Sequence, residues 1–146
     1  MARTKGTALS LMVLDIDNFK SVNDRFGHII GDDMLKQLAQ RLLANMRFYD
    51  TPFRYGGEEF IVTLSNTDIT EGLTIANRLK ESIACEPFRL PQPFNGIHAL
   101  EITVSIGITE LTAEDDEQGN SFLNRADQNL LRAKALGRNR VIGPAD

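Results

Sequence analysis

The near-continuous apolar run from Leu9 to Ile16 constrains the fold of this chain more than any other segment. The run reads Leu-Ser-Leu-Met-Val-Leu-Asp-Ile, and only Ser10 and Asp15 interrupt it. A strand with apolar side chains pointing both ways must be covered on both faces, so the run predicts a central strand in a sheet flanked by helices. Asp15 comes as this strand ends, where open α/β sheets commonly place ligand-contacting groups.

The rest of the chain alternates helical and strand-like patterns. Apolar periodicity and turn residues predict helices over 18–26, from 32 or 33 to 47, from a cap at Thr67 or Asp68 through 83, and over 121–136 with Gly137 as the stop. They predict strands over 9–16, 51–55, 58–64, 100–109 and 140–142, with 86–96 as an edge strand or an irregular loop. This order predicts an α+β sandwich whose central sheet is mixed, mainly antiparallel and about five strands wide.

Length, charge and cysteine content limit the class of protein. A chain of 146 residues suits one domain, which we place at 8–143 after a disordered or added start over 1–7. The net charge of −4 disfavours a nucleic-acid partner, because such proteins usually carry a basic face. No apolar run approaches the roughly 20 residues of a membrane span, so we expect a cytoplasmic domain without membrane contact. Cys85, the single cysteine, is expected to be a buried free thiol.

Gly56 and Gly57 lie between two segments rich in β-formers and predict the two-residue turn of a hairpin. Glu58 and Glu59 then open the return strand, and a tip without Cβ atoms leaves room for a phosphate chain and a metal ion. The alternative is an ordinary tight turn with a solvated acidic edge strand. If the first strand pairs beside the hairpin, Asp15 meets the two glutamates, and three hard oxygen donors suit Mg²⁺. Zinc is disfavoured, because one cysteine and two distant histidines are too few ligands.

Several short motifs occur in order from about Leu9 to Val141. They are Asp15 to Lys20, Asn23-Asp24, Gly27-His28 with Gly31-Asp32, Arg54 to Phe60, Arg125 to Asp127, Ala133-Lys134 and Gly137 to Asn139. Together these motifs strongly resemble the GGDEF family of diguanylate cyclases, with Gly-Gly-Glu-Glu-Phe as the central motif. The resemblance implies that 8–143 is a catalytic domain related to the nucleotide-cyclase and polymerase palm folds.

The same resemblance implies a reaction and its cofactors. Two GTP molecules, one held by each subunit of a transient homodimer, would condense into cyclic di-GMP and two pyrophosphates. Each half-site would use two Mg²⁺ ions, which Mn²⁺ can replace. Transfer of this kind is catalysed chiefly by positioning and by neutralising the charge that develops on the phosphate.

The resemblance also implies roles for individual residues. The metal ligands would be Asp15, the backbone carbonyl of Ile16, Glu58 and Glu59, with Glu58 also accepting the proton of the 3′-hydroxyl and Glu59 assisting at the second ion. Guanine would be read by Asn23 and Asp32, since a carboxylate accepts from guanine N1 and N2 hydrogens that adenine lacks. The phosphates would be bound by Lys20, Lys134 and Arg138 beside Gly56 and Gly57, with Lys20 acting at the transition state.

Some of these residues have simpler alternatives. His28 is either a substrate contact or a helix cap. Asp17 is expected to cap the first helix. Without the resemblance, Lys20, Lys134 and Arg138 would be interpreted as solvated cations that offset helix dipoles.

Arg47 and Asp50 match the family's RxxD inhibitory motif, and Arg78 falls where the family supplies a second arginine. The resemblance implies a site for the product cyclic di-GMP, in which Arg47 grips phosphate or stacks on guanine and Asp50 accepts from a guanine edge. The alternative is a dipole-compensating arginine followed by a turn aspartate.

Two departures from the family pattern affect the expected activity. The chain has neither the family's N-terminal helix with its Asp-x-Leu-Thr-Gly-Leu-x-Asn-Arg stretch nor a sensor domain, so weak turnover is expected. The competing hypothesis is a non-catalytic receptor for GTP or cyclic di-GMP, which the intact carboxylates disfavour. A cyclase for a different nucleotide is disfavoured by Asp32.

Overall fold

The computed structural model of the protein describes residues 7–144. The start expected over 1–7 therefore lies, except for Thr7, outside the described residues. The elements in chain order are β1 (Leu9–Ile16), α1 (Phe19–Phe26), α2 (His28–Ala44), β2 (Asp50–Tyr55), β3 (Glu59–Ser65), α3 (Ile69–Ala84), β4 (Phe88–Phe94), β5 (Ile97–Leu100), β6 (Val104–Glu110), α4 (Asn120–Ala135) and β7 (Val141–Ile142).

Five strands form the central sheet, in the order β2-β3-β1-β6-β7. The pairs β2–β3, β3–β1 and β1–β6 are antiparallel, whereas β6–β7 is parallel. The predicted mixed, mainly antiparallel sheet and the central place of β1 are therefore confirmed. The strands β4 and β5 form a separate two-stranded ribbon.

Both faces of β1 are buried, and each face contributes to its own core. Met12 and Leu14 belong to the larger core, which α1, α2 and α3 cover. Leu11 and Val13 belong to the smaller core, where they join Ala126 and other apolar residues of α4. The alternation of side chains along a strand therefore divides one apolar run between two helical layers.

The second helix begins earlier than predicted, at His28 rather than Asp32 or Asp33, and it ends at Ala44, so Arg47 lies beyond it. Gly27, with φ of 92°, separates α1 from α2. Gly31 is buried inside α2 and does not break it. A Cβ at Gly31 would lie 1.8 Å from Asn23 Oδ1, so this glycine serves the close approach of α1 and α2.

Two other expectations are corrected by the packing. The strand predicted over 100–109 is divided, because β5 ends at Leu100 in the small ribbon and β6 begins at Val104 in the central sheet. Cys85 is exposed at the C-terminal end of α3 rather than buried. The cap of α3 is Asp68, whose carboxylate accepts from the backbone N–H of Glu71 at 2.9 Å, as one of the two predicted alternatives required. No helix within residues 7–144 is long and apolar enough to span a membrane.

Candidate active site

The hairpin between β2 and β3 has a longer turn than predicted. Tyr55 pairs with Glu59, which leaves Gly56, Gly57 and Glu58 in a three-residue turn and places Glu58 outside the return strand. Gly56 has φ of 69°, a conformation in which glycine pays no steric penalty. Arg54 donates from Nε and Nη2 to the carbonyl oxygen of Gly57, at 3.1 and 2.5 Å, and so holds the turn from inside the hairpin.

Asp15 and Glu59 are directly opposite each other on the neighbouring strands β1 and β3. The first strand therefore pairs beside the hairpin, which is the arrangement that Asp15 needs in order to meet the glutamates. Asp15 is 2% exposed and Glu59 is partly buried. Burial raises the pKa of Glu59, and the carboxylates of Asp127 and Asp15 raise it further.

The charge of Asp15 is only partly compensated. Lys134 Nζ in the last turn of α4 donates to Asp15 Oδ2 at 2.5 Å, whereas Oδ1 is buried and has no hydrogen-bond partner. Burial raises the pKa of Asp15 to about 6, because it outweighs the opposing effect of Lys134, and Glu58 and Asp17 add to the rise. A buried carboxylate oxygen without a hydrogen-bond partner is unfavourable, and a bound cation would compensate for it.

The donor set near Asp15 fits a hard cation. No three His, Cys, Asp or Glu side chains within residues 7–144 form a complete metal cluster by themselves. Mg²⁺ does not require one, since it commonly takes one or two carboxylates and completes its shell with water and substrate phosphates. Both glutamates lie near Asp15, since the charge of Glu58 raises the pKa of Asp15 and the charge of Asp15 raises the pKa of Glu59. The unpartnered oxygen of Asp15 and these two carboxylates meet that requirement.

Asp17 does not cap α1, so that expectation is wrong. The residue at the cap position is Asn18, which makes no side-chain capping bond. The carboxylate of Asp17 is buried and accepts from the hydroxyls of Thr103 at 2.6 Å and Ser105 at 2.5 Å, and from the backbone N–H of Asn139 at 2.9 Å. Residues far along the chain, which local pattern analysis cannot place, supply these donors.

Beyond α4 the chain turns sharply and carries Arg138 into solvent. The N–H groups of Gly137 and Arg138 donate to the carbonyls of Lys134 and Ala133, which is the Schellman pattern of a helix that ends in glycine. Gly137 therefore stops α4 as predicted. The Arg138 side chain is exposed, whereas the Lys134 side chain is 31% exposed and bound to Asp15.

The residues expected to read guanine lie on α1 and α2. Asn23 directs its amide oxygen against Gly31, where the oxygen is buried and has no hydrogen-bond partner. Asp32 is exposed and lines a groove of about 730 Å³ between α2 and β2, together with Arg54. His28 is the exposed first residue of α2. Lys20 is on the exposed side of α1, where it pairs with Asp24 at 3.1 Å.

The RxxD residues are already engaged with each other. Arg47 binds the buried carboxylate of Asp50 through Nε and Nη2 at 2.7–3.1 Å, and it also donates to Thr67 and Glu71. Hydrogen bonding to Asp50 raises the pKa of Arg47. Arg78 is exposed on α3 and lines the same cavity of about 90 Å³ as Arg47 and Asp50. The three residues are thus neighbours, and Arg78 is the one that the protein leaves at the surface.

Comparison with known proteins agrees with this geometry. The family model described as "Diguanylate cyclase, GGDEF domain" matches residues 1–140 of the chain. The chain belongs to the GGDEF family.

This GGDEF domain is similar to parts of much longer proteins. It is 42% identical over 140 residues to the response regulator PleD of Caulobacter vibrioides, with 96% of this chain and 30% of PleD covered. It is 46% identical over 136 residues to the diguanylate cyclase DgcP of Pseudomonas aeruginosa, with 93% of this chain and 19% of DgcP covered. The chain therefore spans less than a third of the length of these relatives.

Solved structures show the same fold. The active GGEEF domain of a diguanylate cyclase from Vibrio cholerae is 34% identical, with a TM-score of 0.82 over 95% of this chain and 84% of that one. The GGDEF domain of DgcB from Caulobacter crescentus, solved in complex with c-di-GMP, is 32% identical, with a TM-score of 0.85 over 94% of this chain and 78% of that one. The α+β GGDEF fold is confirmed.

Within this GGDEF domain, the structure brings Asp15, Glu58, Glu59 and Lys134 together at the end of β1. Sequence reasoning gave no role to Arg54 or Asp127, and it gave the wrong one to Asp17. Arg54 holds the Gly-Gly turn, and Asp127 lines a cavity of about 300 Å³ with Glu59. Two features of the sequence could have indicated these roles. Arg54 stands two residues before the glycines, and Asp17 follows Asp15 in an Asp-x-Asp pattern at the end of the strand.

Proposed function

We propose that this domain condenses two GTP molecules into cyclic di-GMP and two pyrophosphates, with one GTP on each of two copies of the chain. The observation that carries the proposal is the buried Asp15, which has one oxygen without a partner and faces Glu59 across the sheet beside the Gly-Gly turn. A site with excess negative charge beside a turn that has no side chains at Gly56 and Gly57 suits a metal-bound triphosphate. The relative DgcP is named a diguanylate cyclase, which supports the same activity.

The metal ligands in this proposal are Asp15, the carbonyl of Ile16, Glu58 and Glu59. Mg²⁺ or Mn²⁺ bound there would neutralise the charge that develops on the reacting phosphate. Glu58 lies in the turn rather than in the sheet, so its carboxylate can accept the proton of an incoming 3′-hydroxyl. Glu59 is held in register by β3 and has a raised pKa, which suits a group that shares its charge with a cation.

Substrate would be oriented by residues on three elements. Asp32 would accept from the guanine edge and the amide nitrogen of Asn23 on α1 would donate to it, while His28 stands at the start of α2, the helix that carries Asp32. Lys134 and Arg138, at the end of α4, would bind the phosphates, with Gly56 and Gly57 leaving the approach open. Lys20 is free to leave its exposed pair with Asp24, since such surface pairs are worth at most about 1 kcal/mol.

The cavity lined by Arg47, Asp50 and Arg78 would bind the product cyclic di-GMP and inhibit turnover. Arg78 offers an exposed guanidinium with the geometry for bidentate contact to phosphate. Arg47 would contribute mainly by holding Asp50 and the preceding loop in place. Inhibition would follow if bound product keeps two copies from aligning their half-sites.

The test is Mg²⁺-dependent turnover of GTP by the protein and by Glu58→Gln. Loss of the general base and a metal ligand should lower the rate by roughly 100-fold or more, while the fold stays intact because Glu58 lies in a turn. Glu117→Gln, an exposed carboxylate in the loop before α4, is the matched control and should leave the rate unchanged. Activity that survives in Glu58→Gln would overturn the assignment of this residue. A wild-type protein that binds cyclic di-GMP in calorimetry but never converts GTP would support the receptor hypothesis instead.

A further inference from the structure

The end of β1 is attached to the end of α4 by two carboxylates that lie two residues apart. Asp15 binds Lys134 inside the last turn of α4, and Asp17 accepts from the backbone N–H of Asn139 just beyond that helix. The first contact is an ion pair that involves a candidate phosphate ligand. The second contact holds only backbone, and its carboxylate is 7% exposed.

The segment that Asp17 holds has an unfavourable backbone. Gly137, Arg138 and Asn139 have φ values of 126°, 64° and 48°. Asparagine tolerates the left-handed region, but arginine rarely adopts it, and such a residue persists only where its surroundings determine it. Arg138 lies between the Schellman bonds at the end of α4 and the Asp17 contact at Asn139.

The anchor itself is rigid. Asp17 Oδ2 accepts from both Thr103 Oγ1 and Asn139 N, while Oδ1 accepts from Ser105 Oγ, which is fully buried on β6. The backbone N–H of Asp17 donates to Thr103 O at 2.9 Å. The carboxylate is therefore fixed by Thr103, just before β6, and by Ser105 on β6, and its remaining contact is with the turn.

We propose that Asp17 is a positioning residue that holds the Gly137–Asn139 turn in its left-handed conformation and so presents Arg138 to the phosphates of GTP. This inference rests on the proposed function, since it assigns the phosphate contact to Arg138. The Arg138 side chain is exposed, and the backbone of the turn sets the point and the direction in which this side chain leaves the main chain. Without the anchor, the turn can relax to a right-handed path that points Arg138 elsewhere.

The test compares KM for GTP and kcat in Asp17→Ala, Arg138→Ala and the double variant. Each single change should raise KM roughly tenfold, the size expected when one charge-assisted hydrogen bond is lost, and should change kcat less. The double variant should be no worse than Arg138→Ala alone, because Asp17 acts through Arg138. Asp17→Asn should recover most of the affinity, since an amide oxygen still accepts from Asn139 N–H while the two hydroxyls rotate to suit the amide.

A structural control separates positioning from general destabilisation. Asp115 is also a buried carboxylate that anchors a loop to α4, through Arg125, and it is remote in sequence from the Gly137–Asn139 turn. Asp115→Ala should lower stability while leaving KM for GTP unchanged. If it raises KM as much as Asp17→Ala does, the effect is general and the proposal fails.

A second readout does not depend on activity. Hydrogen exchange of the Asn139 amide should be faster in Asp17→Ala than in the wild type by at least as much as KM rises, with amides of α2 unaffected. If KM for GTP is unchanged in an active Asp17→Ala variant, the positioning role alone is overturned. The same follows if the KM increases of the two single variants multiply in the double variant. A wild type that neither binds nor converts GTP, with Asn139 exchange still accelerated in the variant, would overturn the proposed function and leave Asp17 as an architectural anchor only.

Discussion

Gly31 lies where α1 and α2 meet, and its missing side chain leaves space for the amide of Asn23. A Cβ at this position would lie 1.8 Å from Asn23 Oδ1 and 3.3 Å from the Phe19 ring. The first contact can be relieved by rotating a short side chain, whereas the ring leaves little freedom. The glycine therefore allows the Asn23 amide oxygen to lie against α2, where a larger residue would displace it.

Gly31→Ala should separate stability from recognition. Alanine gains about 1 kcal/mol of helix propensity over glycine, which offsets most of the cost of moving Asn23, so the free energy of unfolding should change by less than about 1 kcal/mol. GTP affinity should fall severalfold because the displaced amide no longer meets the base. Calorimetry with GTP and urea denaturation measure the two effects. Gln40→Ala, at an exposed position of the same helix, should alter neither, and a large loss of stability in Gly31→Ala would contradict this account.

Individual residues also show why parts of the site could not be predicted from sequence. Asp17 precedes a helix and matches a capping residue locally, but its real donors are Thr103, Ser105 and Asn139, which only the folded sheet brings near. The return strand begins at Glu59 rather than at the predicted Glu58, since the length of the turn depends on the pairing of Tyr55 with Glu59. Roles that depend on distant partners are invisible to local pattern.

Among the elements, α4 is held to the loop before it by an ion pair whose carboxylate, that of Asp115, is buried. Asp115 accepts from Arg125 of α4, from the backbone N–H of Thr112 at 2.8 Å and from Ser121 Oγ at 3.0 Å. Burial raises the pKa of this carboxyl, but these hydrogen bonds outweigh burial, and the net pKa lies below its ordinary value of 3.8. The charged form therefore stabilises the folded state.

Asp115→Asn should weaken the protein at neutral pH and not in acid. Because the folded-state pKa is depressed, the stabilisation is present above the unfolded value near 3.8 and is lost as pH falls through the lower folded value. The free energy of unfolding should drop by about 1–3 kcal/mol at pH 7, and the difference from wild type should shrink at pH 3. Urea denaturation at the two pH values measures it, with Glu114→Gln as an exposed control. An equal loss at both pH values would mean that charge is not involved.

The loop after α2 and the helix α3 together form the Arg47, Asp50 and Arg78 cavity, and their roles differ. Removing Arg47 leaves the carboxylate of Asp50, 1% exposed, without its partner. Such a change typically costs about 3–5 kcal/mol. Arg78 is exposed and can be removed without that cost.

Arg78→Ala should relieve inhibition by cyclic di-GMP while leaving the initial rate and the stability of the fold unchanged. The inhibition constant should rise roughly tenfold, as for the loss of one charge-assisted contact to phosphate. Arg47→Ala should instead lower the melting temperature, so its effect on inhibition cannot be separated from unfolding. Lys80→Ala, two positions further along α3, is the control. An unaltered inhibition curve in Arg78→Ala would remove this residue from the product site.

In the molecule as a whole, the sheet and its helical layers were predictable from the sequence, whereas the connections between elements and the exact element ends were not. The run from Leu9 to Ile16 predicts a central strand, because its apolar side chains point to both faces of the sheet and both faces must be buried. The division of 100–109 between two sheets was missed, because Glu101 to Thr103 keep a strand-like pattern while the chain crosses from one sheet to the other. Cys85 was expected inside because its helix is amphipathic, but it follows Ile83 by two residues and so lies on the side of the helix opposite the buried face.

Within residues 7–144, one copy of the domain presents a single set of candidate catalytic side chains, so the proposed reaction should depend on meetings between two copies. The rate per molecule should rise with protein concentration, and total turnover should rise faster than linearly until dimers saturate. Measuring initial rates over a hundredfold range of protein concentration tests this expectation. A specific rate that does not vary with concentration would show that a single copy, or a permanent dimer, carries out the reaction.

The central position of β1 has a consequence for how the protein is made. Within the domain, this strand is made before its two neighbours, β3 and β6, and before the helix that supplies Lys134. A nascent chain therefore carries this apolar strand with at least one edge unpaired until β6 has been made, and that edge is exposed to chaperones and to other nascent chains. The carboxylates at its end acquire their partners only when α4 and the turn after it have been made, so a product that stops before Asn139 cannot assemble the candidate site.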